Sequence, residues 1–499
     1  MKGFGEINQS NKEKIVKIKK KENIDQLITK AFELQAQGKK LEAAKYYQYL
    51  IKQGTKDCRV FSNYGAFLNE IGKRKESELS CRKAIELNPN YAHAHCNLGN
   101  ALRDLGKLKE AGFYYDKAIQ LNPNLGVAHS NLGTILRDLG KLKEAEFYYL
   151  KAIQLNTDLS IAFFCLSNLK LSNTNTIWRN QLFSKNLLKN KSQIELINIY
   201  FARANILHKE KNYEESSRFL KIANQLKLVL RPSNSDALIK KSKELLIESI
   251  KSEVEEKIKK TENKESQESV FIVGMPRSGS TLLESILSTN NFVYDLKESN
   301  ILEESFLDYK KSNHELNLAY RYWEKINDQN KKANTTTNKN LYNYLYTGII
   351  ANKIPNSKII HCYRNPLDNI LSIYRAHFAK GNQYSSSLVD CAMVYLNQEE
   401  IMRKYKAKFR SKIYDLNYDL LVCNPKKEIK SLISWLGWQW SDAYLSPHLN
   451  PRTVFSASKV QIRSQINSKS INGWKNYRDM LQPCIEIITK SKKYQNLLS

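Results

Sequence analysis

Hydrophobic and polar positions follow two different periods along the chain, with a change near residue 270. The first part repeats every 34 residues, and the segment GNALRDLGKLKEAGFYYDKAIQLNPN is followed by GTILRDLGKLKEAEFYYLKAIQLNTD. A period of this length predicts helix–turn–helix units that stack into a solenoid. The repeated glycine occurs at four positions: Gly38, Gly72, Gly106 and Gly140. Four repeats are therefore predicted between about residues 23 and 158.

Weaker copies of the same pattern follow the four repeats. A degenerate first helix is predicted near residues 159–171, and a further helix pair at 197–228, where Lys211 takes the place of the glycine. A charged segment at 236–260 predicts a connecting helix. The polar residues 260–269 predict a hinge and a domain boundary.

From residue 270 onward, short apolar segments alternate with helical ones. Strands are predicted at Phe271–Gly274, Phe292–Asp295, Lys358–Cys362 and Ile413–Leu416. This alternation predicts a parallel, doubly wound sheet. The predicted fold class is a multidomain chain, in which an all-α repeat solenoid precedes an α/β domain with a P-loop-like turn. The predicted domains are a basic, flexible tail at 1–22, the solenoid at 23–230, a helical linker at 231–269 and the α/β domain at 270–499.

The chain is strongly basic, with 79 Lys and Arg against 50 Asp and Glu and a formal net charge of +29. Such a surplus favours acidic partners, such as nucleic acid, anionic lipid, or acidic peptides and sugars. The alternative interpretation of the charge is that the chain is simply rich in lysine throughout. The lysines are scattered and form no dense basic block, which supports this alternative. We therefore expect no specific nucleic-acid partner, and we interpret the Lys-rich N-terminal residues as a solvated tail.

Cysteine usage and hydropathy predict the compartment. None of the eight cysteines forms a Cys-x-x-Cys pair, which favours reduced thiols in the core. No apolar run approaches ~18 residues, and the N-terminal MKGFGEINQSNKEK lacks the apolar centre of a signal peptide. We expect a cytoplasmic protein without a membrane span. The histidines and cysteines also lack the spacing of metal ligands, so no metal is expected.

The segment FIVGMPRSGST carries the strongest chemical signal. It combines a buried strand, a loop bounded by glycines and the start of a helix, so that loop N–H groups and the helix dipole converge on one anion. The spacing of Gly274, Gly279 and Thr281 is that of a nucleotide P-loop, but Ser280 replaces the lysine that serves the β- and γ-phosphates. This argues against ATP or GTP hydrolysis and favours an anion of lower charge. Arg277 supplies a fork of donors inside the loop.

A second anion site is predicted after the strand KIIHC. The strand ends near Arg364, Asn365 is a helix N-cap residue, and Pro366 fits the first helical position. Ser372 lies two turns further along this helix. Ligands bind at the carboxyl ends of strands in open α/β sheets, so Arg364 and Ser372 are candidates to hold a separate phosphate.

The first half resembles the tetratricopeptide repeat family over about residues 23–230. Small and aromatic residues at fixed positions carry the resemblance: Gly99, Gly133, Ala111, Ala145, Tyr115 and Tyr149.

Three asparagines, Asn63, Asn97 and Asn131, also recur at the 34-residue period. They resemble the asparagine ladder of protein O-linked N-acetylglucosamine transferases. That resemblance implies a polypeptide acceptor or partner held in the repeat groove, and the positive charge favours acidic tracts. The alternative is that Asn-Leu-Gly is ordinary repeat filler.

The second half, from about residue 270 to 481, resembles the sulfotransferase family. The resemblance is strongest to bacterial proteins that fuse tetratricopeptide repeats to a sulfotransferase domain, and to tyrosylprotein sulfotransferases. It implies 3′-phosphoadenosine 5′-phosphosulfate as the donor substrate and no metal. The family's 5′-phosphosulfate loop is matched by Pro276, Arg277, Ser278, Gly279, Ser280 and Thr281. Its 3′-phosphate site is matched by Arg364 and Ser372.

The tyrosylprotein-like branch also implies the catalytic residues. Glu298 matches the general base, and Lys339 matches a lysine on the leaving-group side, with Arg277 as a further catalytic cation. Two departures concern the lysine, because Asn340 replaces the usual proline and Asn338 a common aspartate. Glu303 or Glu304 is the alternative carboxylate base. His377, predicted on the helix that contains Ser372, is a further candidate base and ranks below Glu298.

Three further residues are candidates on the adenine side or in the loop that closes over the nucleotide: Tyr418, Ser458 and Arg463. Tyr418 belongs to a segment similar to the family's Tyr-Glu-x-Leu, and a packing role is the alternative. The branch has a lysine near position 464, where this chain has Ser464, so Arg463 is a candidate replacement.

The sequence thus predicts an enzyme that moves a sulfuryl group to a hydroxyl, with a protein tyrosine as the first candidate acceptor. A carbohydrate or small hydroxylated molecule is the second. An alternative of another class is an interaction scaffold whose second domain binds nucleotide but is inactive. A nucleotide kinase is disfavoured by Ser280.

Overall fold

The computed structural model describes residues 23–170, 176–256, 267–312, 317–328, 334–378, 381–450 and 461–498. The chain divides into two compact units. The first comprises Met1–Leu166 and Leu171–Trp178, and the second comprises Ser167–Lys170 and Arg179–Ser499.

The first unit consists of antiparallel helix pairs, as the 34-residue period predicts. The helices are α1 (Ile24–Ala36), α2 (Lys40–Lys52), α3 (Cys58–Glu70), α4 (Arg74–Leu87), α5 (Ala92–Asp104), α6 (Leu108–Leu121), α7 (Gly126–Asp138) and α8 (Leu142–Leu155). Two short helices follow, α9 (Ser160–Ser167) and α10 (Ile177–Phe183), and the division between the units falls inside each of them. The four predicted pairs are therefore confirmed.

Close packing within a pair explains the small residues of the repeat. A Cβ atom added at Gly99 would lie 2.6 Å from Cε1 of Tyr115, whose side chain is fully buried. A Cβ at Gly133 would lie 3.0 Å from the ring of Tyr149 in the same way. The two tyrosines therefore fill the space between the helices of one repeat, and glycine allows the helices to approach.

Three long helices open the second unit: α11 (Gln193–Lys209), α12 (Tyr213–Leu230) and α13 (Ser235–Glu256). The first two form the predicted weak repeat, and Lys211 takes φ +62° at the glycine position. The pair packs on the α/β part, since Nδ2 of buried Asn224 donates to the carbonyl of Tyr374 across 3.0 Å. The same unit thus contains both the sheet and a helix pair that the sequence analysis grouped with the solenoid.

The sheet has five parallel strands in the order β2–β3–β1–β4–β5. The strands are β1 (Glu268–Gly274), β2 (Val293–Asp295), β3 (Thr335–Asn338), β4 (Ser357–Tyr363) and β5 (Ile413–Asn417). The helices around them are α14 (Ser280–Leu287), α15 (Ile301–Lys311), α16 (Leu318–Asn327), α17 (Thr347–Lys353), α18 (Pro366–Tyr374), α19 (Leu388–Phe409), α20 (Tyr418–Cys423), α21 (Pro425–Leu436) and α22 (Arg478–Ile488). The predicted fold class is therefore confirmed.

Both faces of the sheet are covered, as expected for parallel strands. Phe271 and Val273 of β1 belong to one buried apolar cluster, and Val270 and Ile272, which alternate with them, belong to another. Within the described part of the chain, no helix has the length and apolar character that a membrane span requires.

Four strands were predicted from apolar segments and are confirmed, but β3 was missed. Its sequence, Thr335–Asn338, is polar, although Thr336 and Thr337 are at most 1% exposed. The Thr336 hydroxyl is satisfied inside the sheet by that of Ser269, at 2.9 Å. Threonine is β-branched and favours strands, and that was the available signal.

Candidate functional site

The loop between β1 and α14 is held in a narrow space at the carboxyl ends of the central strands. A Cβ at Gly274 would lie 2.3 Å from the carbonyl oxygen of Cys362 in the neighbouring strand β4. Gly279 takes φ +95°, and α14 begins directly after it. The helix N-terminus therefore faces the space above the strand ends, where its N–H groups favour an anion.

Inside this loop, the hydroxyl of Ser278 is buried, with the residue 1% exposed. Among the described residues, Ser278 Oγ has no hydrogen-bond partner. A buried hydroxyl without a partner is costly, and a ligand oxygen at this point would satisfy it.

Arg277 connects the loop to the second predicted site. Its Nε donates to Oγ of Ser372 on α18 across 3.0 Å. Asn369, on the same helix, donates from Nδ2 to the carbonyl of Pro276 at 3.0 Å. Burial, together with the nearby charges of Arg364 and Arg375, lowers the pKa of Arg277 to about 10, so the guanidinium stays charged at neutral pH. The two predicted anion sites are therefore adjacent.

Arg364 lies at the end of β4, and only 6% of it is exposed. Its Nη2 donates to the carbonyl of Ser470 at 2.9 Å, and its carboxylate neighbours Asp368 and Asp419 lie 3.8 and 3.9 Å away. Within the described chain, Arg364 Nε has no hydrogen-bond partner. As predicted, Asn365 caps α18 and Pro366 is at its start.

Tyr418 lies between the two sites. Its ring lies 4.7 Å from the guanidinium carbon of Arg364, and a Cβ at Gly279 would approach the ring to 2.3 Å. Its hydroxyl and that of Ser470 are 3.0 Å apart. One aromatic side chain therefore contacts the loop between β1 and α14, the guanidinium of Arg364 and the C-terminal loop around Ser470.

The C-terminal loop is tied to α18 by Asp368, which is 3% exposed. Its carboxylate accepts from the backbone N–H groups of Asn472, at 2.7 Å, and Trp474, at 2.9 Å. Burial raises the pKa of Asp368, although these two N–H groups and Arg364 oppose the rise. Sequence reasoning missed this residue, whose signal was its place four residues after Arg364.

The two remaining candidates in this region behave differently. Nη1 of Arg463 donates to the carbonyl of Asn450 at 2.7 Å, and Asn450 in turn contacts Ser288 at the far end of α14. Ser458 lies outside the described residues.

Lys339 follows β3 and lies between two carboxyl groups. Its Nζ is 2.9 Å from Oε1 of Glu298 and 3.1 Å from Oε2 of Glu284. The side chain of Lys339 is 1% exposed and that of Glu284 8%, whereas that of Glu298 is 53% exposed. The predicted pair Glu298–Lys339 is thus in contact, and Glu284, which the sequence analysis missed, completes the cluster.

Electrostatics within this cluster keep the lysine charged. Burial would lower the pKa of Lys339, but Glu284 and Glu298 outweigh it and raise that pKa. Burial raises the pKa of Glu284 to about 8 against the opposing effect of Lys339. One cation is therefore shared by an exposed carboxylate and a buried carboxyl group.

The alternative bases lie in other surroundings. Glu303 contacts Lys241 at 2.6 Å and accepts from the hydroxyl of Tyr346 at 3.1 Å. The ring of His377 stacks on Phe201 of α11, with centroids 4.9 Å apart. Burial, with the charges of Lys227 and Arg231, lowers the pKa of His377 to about 4.

The three asparagines of the predicted ladder are oriented by contacts between consecutive repeats. Nδ2 of Asn97 donates to the Ser62 hydroxyl at 3.0 Å, and Nδ2 of Asn131 donates to Oδ1 of Asn100 at 3.1 Å. Nδ2 of Asn63 reaches the Tyr47 hydroxyl at 3.4 Å. Each amide therefore donates to the preceding repeat.

Comparison with family models identifies the family of the repeat segment and that of the α/β segment. Residues 269–318 and 313–442 match the model described as sulfotransferase family, and residues 92–125 and 126–158 match the tetratricopeptide repeat. The chain joins tetratricopeptide repeats to a sulfotransferase-family domain. Both resemblances inferred from the sequence are thereby confirmed.

Known proteins resemble this chain at low identity. An uncharacterized protein of Aquifex aeolicus (strain VF5) is 28% identical over 322 residues, which is 59% of this chain and 41% of that protein. Protein-tyrosine sulfotransferase 1 of Danio rerio is 24% identical over 230 residues, 41% of this chain and 65% of that protein. The matches thus span less than two thirds of either relative. A solved sulfotransferase domain from the curacin biosynthetic pathway is 15% identical, with a TM-score of 0.34, over 45% of this chain and 97% of that domain.

Proposed function

We propose that the chain is an enzyme that transfers a sulfuryl group from 3′-phosphoadenosine 5′-phosphosulfate to an acceptor hydroxyl. The observation that carries the proposal is the hydrogen bond between Arg277 and Ser372, which unites two predicted anion sites in one region. A donor with phosphate groups on the 3′ and 5′ positions of one ribose needs two such sites close together.

The chemistry of the residues fits this donor. Pro276, Arg277, Ser278, Gly279, Ser280 and Thr281 would hold the 5′-phosphosulfate at the N-terminus of α14. Arg364 and Ser372 would hold the 3′-phosphate. Because Arg277 donates to Ser372 Oγ, the hydroxyl proton of Ser372 remains available to a phosphate oxygen. Two orphaned donors, Ser278 Oγ and Arg364 Nε, have no hydrogen-bond partner within the described chain, which supports ligand contacts at both ends.

Tyr418 would line the adenosine between these ends, because it contacts both Gly279 and Arg364. Arg463 stays a candidate to bind a donor phosphate from the loop that closes over the nucleotide. Its guanidinium donates to the carbonyl of Asn450 in the structure, so it would have to leave that carbonyl to reach the donor.

The transfer step assigns roles to Glu298, Lys339 and Arg277. Glu298 takes the proton of the acceptor hydroxyl, whose oxygen bonds to sulfur while the bond from sulfur to the phosphate oxygen breaks. The electron pair of that bond leaves with the phosphate. Lys339 and Arg277 offset the negative charge that grows on the sulfuryl and phosphate oxygens. The exposure of Glu298 supports its role, since the acceptor must reach it from solvent.

For the acceptor, we propose a tyrosine of a polypeptide, with a carbohydrate or small hydroxylated molecule as the alternative. Similarity to the Danio rerio protein-tyrosine sulfotransferase 1 supports the first choice. The repeats would recruit the acceptor or a partner protein through the ladder of Asn63, Asn97 and Asn131. In that case their side-chain carbonyl oxygens would face the peptide, since each amide NH₂ group already donates to the preceding repeat.

Calorimetry and a transfer assay test the proposal in sequence. Adenosine 3′,5′-bisphosphate is titrated into the full chain, and sulfate labelled in the donor is then followed onto tyrosine peptides, glycans and phenols. We expect binding and transfer to at least one hydroxyl class. Absence of binding heat contradicts the donor assignment, whereas binding without any transfer favours the inactive scaffold.

The variant Glu298→Gln tests the base. We expect turnover to fall by about 10²- to 10⁴-fold, the usual contribution of a general base, while the affinity for adenosine 3′,5′-bisphosphate is unchanged. Glu400→Gln is the matched control, because this carboxylate of α19 pairs with Arg403 on the surface. Unchanged turnover in Glu298→Gln would assign the base to another residue.

A further inference from the structure

Lys339 is enclosed more tightly than a surface lysine because two carboxyl groups contact its ammonium from different elements. Glu298 belongs to the loop after β2 and is half exposed, whereas Glu284 belongs to α14 and is buried. The contact of Lys339 with Glu284, at 3.1 Å, is not required for the proton transfer described above. It attaches the lysine to the helix that starts at the phosphate loop.

We propose that Glu284 is a positioning residue, which holds the ammonium group of Lys339 beside Glu298 by a hydrogen bond and takes no part in proton transfer. This inference rests on the proposed function. A lysine is a flexible side chain with four carbon–carbon torsions, and fixing its Nζ between two acceptors removes that freedom before the reaction. When Glu298 takes up the acceptor proton, its attraction for the ammonium weakens. Glu284 then keeps Lys339 in place.

The charge balance of the cluster supports this role. The groups that act on Glu284 are Lys339, after β3, Asp295 of β2 and Glu298 of the following loop. With one cation among three carboxyl groups, the most buried group is the one that keeps a proton, and burial raises the pKa of Glu284 to about 8. A protonated Glu284 still accepts from the ammonium through its carbonyl oxygen. The positive charge of Lys339 is then left for Glu298 and the leaving phosphate.

The surroundings of the second carboxyl oxygen of Glu284 also indicate a protonated group. Among the described residues, Glu284 Oε1 is buried and has no hydrogen-bond partner. If the group were ionised, an anionic oxygen would lie buried without a donor, which is costly. A carboxylic acid has a smaller cost at this position.

Two substitutions of similar size separate a hydrogen bond from a charge. Glu284→Gln keeps an acceptor oxygen for Lys339, and Glu284→Met removes it without leaving a large cavity. We expect Glu284→Met to lower kcat by about 10- to 100-fold, the effect of losing one charged hydrogen bond, while Glu284→Gln stays within about threefold of the unsubstituted chain. The affinity for adenosine 3′,5′-bisphosphate should stay unchanged in both. Full activity of Glu284→Met, or equal damage by both substitutions, would overturn the proposal.

The pH profile gives a readout that a merely structural role would not move. Above about pH 8 the ionised Glu284 adds a negative charge beside Lys339, so the turnover of the unsubstituted chain should fall there. Glu284→Gln should lack this fall. If Glu284→Met does not fold, this comparison still decides the matter, because persistence of the fall in Glu284→Gln contradicts the role.

A measurement without donor or acceptor keeps this inference separate from the proposed function. Lysine acetylation under limiting reagent, followed by mass spectrometry, reports how firmly the ammonium of Lys339 is held. We expect Lys339 to react several-fold faster in Glu284→Met and at the original rate in Glu284→Gln. Lys412, whose Nζ donates to the carbonyl of Ala351 at 2.6 Å, is the internal reference. Equal rates in all three chains would refute the positioning role even if transfer occurs. A chain that shows the expected labelling but transfers no sulfate would refute only the proposed function.

Discussion

Nε of Arg277 donates to Oγ of Ser372 across 3.0 Å, although 95 positions of the sequence separate the two residues. Arg277 follows β1 and Ser372 lies on the helix after β4, and these strands are neighbours in the sheet. Parallel neighbours end at the same edge, so the segments that follow them meet. The contact therefore follows from the order of the strands.

The first prediction concerns how Arg364 distinguishes nucleotides. We expect Arg364→Ala to weaken the binding of adenosine 3′,5′-bisphosphate by about 10- to 100-fold, because the proposed charge-assisted contact to the 3′-phosphate would be lost. Adenosine 5′-phosphate, which lacks that phosphate, should lose less than about threefold. Calorimetry with both nucleotides measures the difference.

The surface substitution Arg403→Ala is the matched control, since Arg403 pairs only with Glu400 among the contacts that the structure gives it. Equal losses for both nucleotides in Arg364→Ala would remove the 3′-phosphate assignment and leave a role in folding.

The second prediction concerns Gly279, whose φ of +95° is unfavourable for other residues. In Gly279→Ala the new Cβ would also meet the ring of Tyr418 at 2.3 Å, so the ring must move. We expect a loss of about 1–3 kcal/mol in the free energy of unfolding beyond the strain itself, and weaker nucleotide binding. Urea unfolding and calorimetry provide the two values.

Gly437→Ala separates strain from the clash with Tyr418. Gly437 ends α21 with φ +72°, and a Cβ there would have open space. This variant should lose only the strain energy, about 1 kcal/mol, and should bind nucleotide normally. Equal losses of unfolding free energy in the two variants would show that the clash with Tyr418 does not contribute to the destabilisation.

The third prediction concerns the pH dependence of stability at Glu284. Burial raises its pKa in the folded chain to about 8 from an ordinary value of 4.5. Below about pH 4.5 the folded state gains the full benefit of the bound proton, and this benefit is lost as pH rises towards 8. The free energy of unfolding of the unsubstituted chain, relative to Glu284→Gln, should therefore fall by up to about 1.4 kcal/mol per pH unit in that window.

The variant Glu303→Gln tests a carboxyl group whose pKa is shifted in the opposite direction, so its effect on stability should have the opposite pH dependence. Burial acts to raise the pKa of Glu303, but the hydrogen bond and the charge of Lys241, together with the hydrogen bond from Tyr346, outweigh burial and hold that pKa below its ordinary value. Its contribution should be constant between about pH 5 and 8 and should decline only at lower pH. Denaturant unfolding across the pH range checks both, and a flat profile for Glu284 would contradict its raised pKa.

The fourth prediction concerns the ladder in the repeats. Asn97→Ala removes the donor to the Ser62 hydroxyl and should cost about 1 kcal/mol in the free energy of unfolding. If the carbonyl oxygen of Asn97 also holds an acceptor peptide, KM for that peptide should rise while nucleotide affinity stays the same. Asn205→Ala is a matched control, because Asn205 donates to Ser167 in the second unit. A loss of stability with unchanged KM would assign Asn97 to packing alone.

Local signals made much of the fold and part of the site predictable. The repeat glycines, the strand before Gly274 and the Asn365–Pro366 helix start each depend on neighbours within a few residues. The polar strand β3 was missed because its threonines are buried by the strands on either side, which the sequence does not reveal. Glu284 was missed because, on α14, it resembles an ordinary charged helix residue. Only its contact with Lys339, 55 positions later, distinguishes it.

The sequence by itself determined the 34-residue helical period, the glycine-bounded loop that contains Arg277, the strand end at Arg364 and the expectation of a parallel sheet. These depend on side-chain periodicity and backbone preference. Only the tertiary structure decided that Arg277 meets Ser372, that Tyr418 lies against both Gly279 and Arg364, and that Lys339 is shared by Glu298 and Glu284. The physical reason is that these contacts arise from strand order and burial. Both are properties of segments far apart in the chain that must exclude water together.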